Sequence, residues 1–327
     1  MRKKIAIIGC GQLGSRHLQA VAKLEGPLKI QVVEPISDNQ RIGKMRVTEV
    51  LRDDQDVEIQ WFPGLDALDE IPDVTIIATT AAGRASILIQ LAERGHQRFL
   101  VEKMVCQSRE EYDRIGDAFA PRPVKGWVDC TRRYFPFYER MIPLLEKEKI
   151  LVFQVTAGNH GLGSNAIHLL DLFWRMVGSP GDLKMNGDGL VPFLLPNPRG
   201  SDLVEFAGTI TASTPFGSFA SISFHPGHQA PVLVQITSDH YRVSVNESDD
   251  KAHLARQETN WQWEALEFQT LYSSNLTTAI VGSIMKEDSC LLPTIQDSYL
   301  LHDELFRIFN QHIQRVGGNI PALCPIT

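Results

Sequence analysis

Residues 4–17 read Lys4-Ile5-Ala6-Ile7-Ile8-Gly9-Cys10-Gly11-Gln12-Leu13-Gly14-Ser15-Arg16-His17, and the order of residue types in this stretch decides the fold. An apolar run of strand length ends at a glycine. From Gln12 to Leu24 apolar residues then return at helical spacing, at Leu13, Leu18, Val21 and Ala22. Strand, tight turn and helix follow in that order. The three glycines serve different purposes. Gly9 permits the turn, Gly11 lets something approach the main chain, and Gly14 lets the helix pack closely on the strand.

Working outward, Ile30 to Val33 is a second apolar run ending in Glu34, and Val74 to Ala78 and Phe99 to Val101 supply two more after intervening helical segments. Such alternation implies a parallel sheet wrapped by helices. A helix that starts in a glycine turn points free amides and a positive dipole end at an anion. Gly9, Gly11, Gln12, Leu13 and Gly14 are therefore expected to hold the pyrophosphate of a dinucleotide. Glu34, twenty residues beyond Gly14, stands where a carboxylate accepts hydrogen bonds from ribose hydroxyls. Its charge would repel a 2′-phosphate, so NAD is expected in preference to NADP. Thr79 and Thr80 follow the fourth run at the carboxyl edge, where they either meet ribose or nicotinamide or cap the next helix.

With 327 residues, 43% hydrophobic and 22% charged, the chain has the composition of a globular protein of two domains, expected at 1–123 and 124–327. A formal charge of −7 with scattered Lys and Arg speaks against a nucleic-acid partner. Four apolar residues before Gly9 are too few for a leader or a membrane span, and the five cysteines show no Cys-x-x-Cys pair. A cytoplasmic protein with reduced thiols is expected. In the second half a helical stretch from Phe137 to Lys147, a strand from Ile150 to Gly158 and a helix bearing His168 precede several alternating runs. These are Leu203 to Thr211, Ser218 to Phe224, Val232 to Thr237 and Tyr241 to Val245, and they read as an open, mostly antiparallel sheet. Trp261 and Trp263 alternate with polar residues as in a half-buried strand. Thr294 with Asp297 marks the start of a last helix. His225-Pro226-Gly227-His228 reads as a turn without the carboxylates a metal needs, so no metal is expected.

The segment Val74 to Met104 resembles the Gfo/Idh/MocA oxidoreductases, the family of glucose-fructose oxidoreductase and inositol dehydrogenase. The resemblance rests on Ser15-Arg16-His17 after the turn, Glu102-Lys103-Met104, Arg132-Arg133, the helix His168-Leu169-Leu170-Asp171-Leu172 and the late Leu292-Pro293-Thr294-Ile295. The stretch Asn159 to His168 is similar to a subgroup found with bacterial sugar and nonulosonic-acid biosynthesis. Two positions depart. The family's proline after the lysine is Met104 here, which leads us to expect a differently shaped loop, and its aspartate four residues before the histidine is Ser164.

The resemblance implies an NAD(P)-dependent enzyme acting on a CH–OH group of a sugar, cyclitol or sugar-derived substrate, assembled as a dimer or tetramer through the open sheet face. Lys103 would be the acid/base and His168 its assistant, with Glu102 among the cofactor contacts. Arg132, Arg133, Ser164 and Asn165 would face the substrate. The alternative is a non-catalytic dinucleotide-binding sensor or partner of a biosynthetic pathway, which the loss of the aspartate favours.

Overall fold

The computed structural model describes residues 2–327. The first elements are β1 (Lys3–Ile8), α1 (Gly14–Val21), β2 (Leu28–Val33), α2 (Ser37–Thr48), β3 (Val57–Phe62), β4 (Val74–Ile77), α3 (Arg84–Glu93), β5 (Arg98–Val101), α4 (Arg109–Phe119) and β6 (Lys125–Val128). The six strands pair in the order β3-β2-β1-β4-β5-β6, all parallel. Strand order reverses between β1 and β4, the switch point at which such sheets take ligands. Ile5, Ile7, Ile30, Val32, Ile76 and Leu100 are fully or almost fully buried, because a sheet covered on both faces leaves no side for polar residues. The sequence did not announce β3, an edge strand whose residues are all half-buried.

The chain continues with α5 (Pro136–Leu145), β7 (Leu151–Ala157), α6 (Leu162–Met176), β8 (Lys184–Leu190), β9 (Leu195–Pro196), β10 (Val204–Glu205), β11 (Gly208–Ser213) and β12 (Phe219–Phe224). It ends with β13 (Leu233–Ser238), β14 (Tyr241–Asn246), β15 (Lys251–Arg256), β16 (Trp263–Glu267), α7 (Ser273–Glu287) and α8 (Ile295–Arg315). An eight-stranded sheet runs β16-β15-β14-β13-β7-β12-β11-β8, antiparallel except where β7 lies parallel to β12. The expected fold class, a Rossmann sheet followed by an open, mostly antiparallel one, is what the chain adopts. On the inner face of the second sheet Phe153, Val155, Ile222, Val234 and Ile236 are buried, and Phe153 packs on Phe173 of α6 with ring centroids 5.8 Å apart. The outer face carries exposed Gln154, Thr156, Gln235 and Thr237.

Packing divides the chain into two units, and the first is discontinuous in place of the single cut expected after residue 123. It holds residues 1–106, 110–131 and 271–297; the remainder forms the second. The return of α7 has a clear cause. It lies against α1, where the Thr278 hydroxyl donates to the Ala20 carbonyl at 2.6 Å. Thr294 caps the last helix as expected, its Oγ1 accepting the Asp297 N–H at 3.0 Å while Asp297 accepts the Thr294 N–H at 3.2 Å. Two expectations need correction. The run Leu203 to Thr211 is broken at Gly208, whose φ of +98° turns the chain from β10 into β11. Trp261 has a positive φ and precedes β16, and Trp263 is 55% exposed on that edge strand, so the two do not share a half-buried strand. Among the described residues no helix is long and apolar enough to cross a membrane.

The start of α1 leaves no room for a side chain at Gly14. A Cβ on Gly14 would stand 1.9 Å from the Gly9 carbonyl oxygen. Gly14→Ala is therefore expected to cost roughly 3 kcal/mol, the upper part of the range for overpacking. Chemical denaturation of the two proteins measures it, and a loss below a few tenths of that would contradict the packing described.

Candidate active site

The glycine turn closes onto β4 and β2. A Cβ on Gly9 would meet Thr79 at 3.0 Å, whereas one on Gly11 would find only the Asn39 amide at 3.8 Å. Protein packing thus explains Gly9 and Gly14 but not Gly11, and the space over Gly11 fits an incoming phosphate group. Gln12 is exposed and Leu13 half-buried; Arg46 of α2 donates to the Gln12 side chain at 2.8 Å and to its carbonyl at 3.1 Å, fixing the turn. The Glu34 carboxylate is buried and accepts N–H bonds from Cys10 at 2.6 Å and Ile36 at 3.0 Å. A carboxylate offers about four acceptor positions, so two remain for ribose hydroxyls. Thr79 and Thr80 do not cap α3, whose N-cap is Gly83 in the left-handed region. The Thr79 hydroxyl oxygen is buried without a hydrogen-bond partner, an orphan polar atom at the ligand-binding edge of the sheet.

Beyond β5 the chain reads Glu102-Lys103-Met104, all buried. The Lys103–Met104 peptide is cis. Glu102, expected among the cofactor contacts, turns its carboxylate inward and accepts from His17 Nε2 at 3.1 Å. His17 arrives from α1, and its Nδ1 is held by the Thr277 hydroxyl of α7 at 2.8 Å. Asp129, just past β6, places Oδ2 3.8 Å from the same His17 Nε2. Arg84 at the start of α3 is 1% exposed and donates to the carbonyls of Thr79, Glu102 and Met104. His17, Arg84 and Asp129 gave no functional signal in the sequence, because only tertiary packing gathers them.

Burial works against the imidazolium of His17, but the hydrogen bond it donates to Glu102 and the charges of Asp129 and Glu102 outweigh it, so its pKa lies above the ordinary value. For Glu102 burial likewise opposes ionisation, and the His17 bond with the charges of His17, Lys103 and Arg84 brings its pKa below normal. Asp129 has no such bond. Burial and then the Glu102 charge push its carboxyl up to about 7. Donor atoms of His17, Glu102 and Asp129 lie within 4.8 Å of one another. The positive charge such a cluster attracts comes from Lys103 and Arg84, so we read it as a proton-sharing group and not as a metal site.

The second unit holds the remaining expected residues. Arg132 forms a two-point pair with Glu247 at 2.9 and 2.6 Å, and Arg133 forms one with Asp171 at 2.8 and 2.7 Å. Both forks are committed to the chain's own carboxylates, which replaces the expected clamp on a substrate anion. Ser164 and Asn165 line a cavity of about 520 Å³ together with Asn159, His160, Arg199 and Glu205. The Ser164 hydroxyl donates to Glu205 Oε2 at 2.5 Å, and its N–H donates to Oε1 at 3.1 Å. Glu205, which the sequence did not flag, thus brings a buried carboxylate to the start of α6, with a pKa raised by burial. His168 is half-buried one helical turn beyond Ser164. His225 and His228 stack at 4.5 Å in the turn after β12, each Nδ1 accepting a backbone N–H.

No protein-family model matches the chain, and no curated protein matches it in sequence. Solved structures do match in fold. UDP-N-acetylglucosamine 3-dehydrogenase from Acidithiobacillus ferrooxidans superimposes with a TM-score of 0.69 at 15% identity, covering 94% of this chain and 97% of that one. An oxidoreductase from Agrobacterium radiobacter, solved with NAD+, L-tartaric acid and magnesium, gives 0.69 at 13% identity and 94% of each chain. A 3-ketoreductase from Actinomadura kijaniata, solved as a mutant with TDP-benzene and NADP, gives 0.68 at 16% identity and 98% of each. At these identities the likeness establishes the shared two-domain fold.

The buried cluster makes stability depend on pH. Asp129 keeps in the folded state a proton that the unfolded chain releases near pH 4, so stability falls as pH rises from about 4 to about 7. The raised His17 value acts in the same direction, and the lowered Glu102 value acts only on the acid side. Thermal denaturation of Asp129→Asn and wild type at pH 5 and pH 8 is expected to give a Tm difference that moves in favour of the variant at the higher pH. An equal offset at both would remove this assignment.

Proposed function

We propose that the protein is an NAD(P)-dependent oxidoreductase of the Gfo/Idh/MocA type, acting between the carbinol and carbonyl forms of a sugar, cyclitol or sugar-derived substrate. NAD is the preferred coenzyme because Glu34 would repel a 2′-phosphate. The observation that carries the reading is the space over Gly11, beside the start of α1 and the orphan Thr79 hydroxyl, on a sheet whose neighbouring strand end presents Lys103. When bound there, the nicotinamide supplies the hydride acceptor or donor. The chain must supply the proton acceptor. Lys103, at a strand end and among buried charges, is assigned that role, and His168 an assisting one.

The second reading, a dinucleotide-binding sensor or partner without catalysis, draws on Ser164 in place of the family aspartate and on the engaged forks of Arg132 and Arg133. Glu205 weakens it, since its carboxylate is bonded to Ser164 and restores an acidic group at that position. Calorimetry with NAD and NADP and absorbance of the reduced coenzyme over a panel of sugars separate the two. Lys103→Ala is expected to keep coenzyme affinity and lower turnover about 10²-fold or more. Gly11→Val is expected to abolish coenzyme binding while unfolding as wild type does. Binding without turnover on every sugar would favour the sensor, and absence of binding would defeat both.

We further propose that the chain forms homodimers or homotetramers through the outer face of the second sheet, where Gln154, Thr156, Gln235 and Thr237 lie uncovered. Sedimentation at micromolar concentration is expected to give a multiple of the chain mass; monomer alone would rule it out.

A further inference from the structure

The parallel register of β5 and β6 pairs Val101 with Val128, and the Asp129 N–H donates to the Val101 carbonyl at 2.8 Å. Asp129 is therefore carried to the sheet edge beside Glu102-Lys103 by backbone geometry alone. Around it, α1 contributes His17, β5 contributes Glu102 and Lys103, α3 contributes Arg84, and α7 contributes the uncharged Thr277. Every ionisable member is at most 5% exposed.

We propose that Asp129 is a positioning residue for Lys103: the charge of its carboxyl biases the buried lysine between ammonium and amine. The proposal rests on the reading of Lys103 as the acid/base.

The other members are fixed. Arg84 is a permanent cation that donates to three carbonyls. Glu102 is held as an anion by the His17 bond and the cations around it. Asp129 alone lacks a bond that would fix its charge. Its Oδ2 is 3.8 Å from His17 Nε2, beyond hydrogen-bond reach, and its Oδ1 is buried without a partner. A carboxyl placed only for structure would have its oxygens satisfied, because an unpaired buried acceptor is costly. One left open in a charged cluster is free to gain and lose a proton near neutrality.

Lys103 acts on Asp129 through space, favouring its ionised form. Pairwise coupling is mutual, so ionised Asp129 favours the ammonium of Lys103 to the same degree, and protonated Asp129 makes that ammonium easier to deprotonate. A proton taken up by Lys103 is thereby offset by easier loss of one from Asp129. The pair resists a change in its summed charge inside a buried cluster.

Heteronuclear NMR of protein labelled with [13C]lysine or [13C]aspartate tests this without substrate or coenzyme. Lys103 and Asp129 signals are assigned by their loss in Lys103→Arg and Asp129→Asn. In Asp129→Asn, Lys103 is expected to bind its proton roughly tenfold more weakly, as for an amine that loses one close opposite charge. Should that variant not fold, Lys103→Met gives the reciprocal reading, with the Asp129 midpoint moving upward from near neutral pH. Lys103 titrating identically with and without the Asp129 carboxyl overturns the proposal, as does Asp129 ionising with an ordinary aspartate midpoint that ignores Lys103. Unchanged turnover in Lys103→Ala would instead defeat the functional reading and leave this coupling standing.

Discussion

The fold depends on the close approach of Gly14 to the Gly9 carbonyl. That contact lets α1 begin directly on the turn, so its axis is set by the strand end and its first amides face the carboxyl edge of the sheet. The same placement brings His17, three residues into the helix, down onto Glu102 from the neighbouring strand pair. One steric constraint therefore sets both the direction of the first helix amides and the buried hydrogen bond beneath them. α7 completes the arrangement from 260 residues away in sequence, with Thr277 holding the other nitrogen of the ring.

The parts of this architecture that could be read in advance are those whose physics is local. Buried parallel strands must be continuously apolar, and Lys4 to Ile8 or Val74 to Ala78 can hardly be read otherwise. The capping pair Thr294 and Asp297 is likewise a contact between neighbours three apart. The missing strands share a different property. β3 and β16 are sheet edges with half-buried or exposed residues, and β8 contains two glycines within Lys-Met-Asn-Gly-Asp-Gly-Leu. β15 and β16 are rich in Ala, Leu, Glu and Lys, which favour helices when considered alone. Their pairing partners, not their own composition, make them strands.

The site divides along the same line. Gly9, Gly11, Gly14 and Glu34 belong to one short motif, and its spacing makes them legible together. Lys103 and Glu102 were reached by resemblance, and the links that join His17, Arg84 and Asp129 around them were not. His17, Arg84 and Asp129 come from α1, α3 and the end of β6, so the information that joins them lies in strand order and register. Arg132 and Arg133 illustrate the converse. A pair of adjacent arginines invites an anion, but Glu247 and Asp171 occupy both forks, and those partners lie 115 and 38 residues away.

Arg84 explains why so much charge can be buried at one strand end. The carboxyl ends of β4 and β5 leave carbonyls that no further strand pairing satisfies, and an unsatisfied buried carbonyl is expensive. A guanidinium offers about five donors in a rigid fork and remains charged at any accessible pH. By donating to Thr79, Glu102 and Met104 it closes that deficit, and its charge also acts on the Glu102 carboxylate. Lysine at position 84 would supply the charge without the geometry, and glutamine part of the geometry without the charge. Only arginine meets both demands, which makes the backbone around Lys103 and the electrostatics around Lys103 consequences of the same side chain.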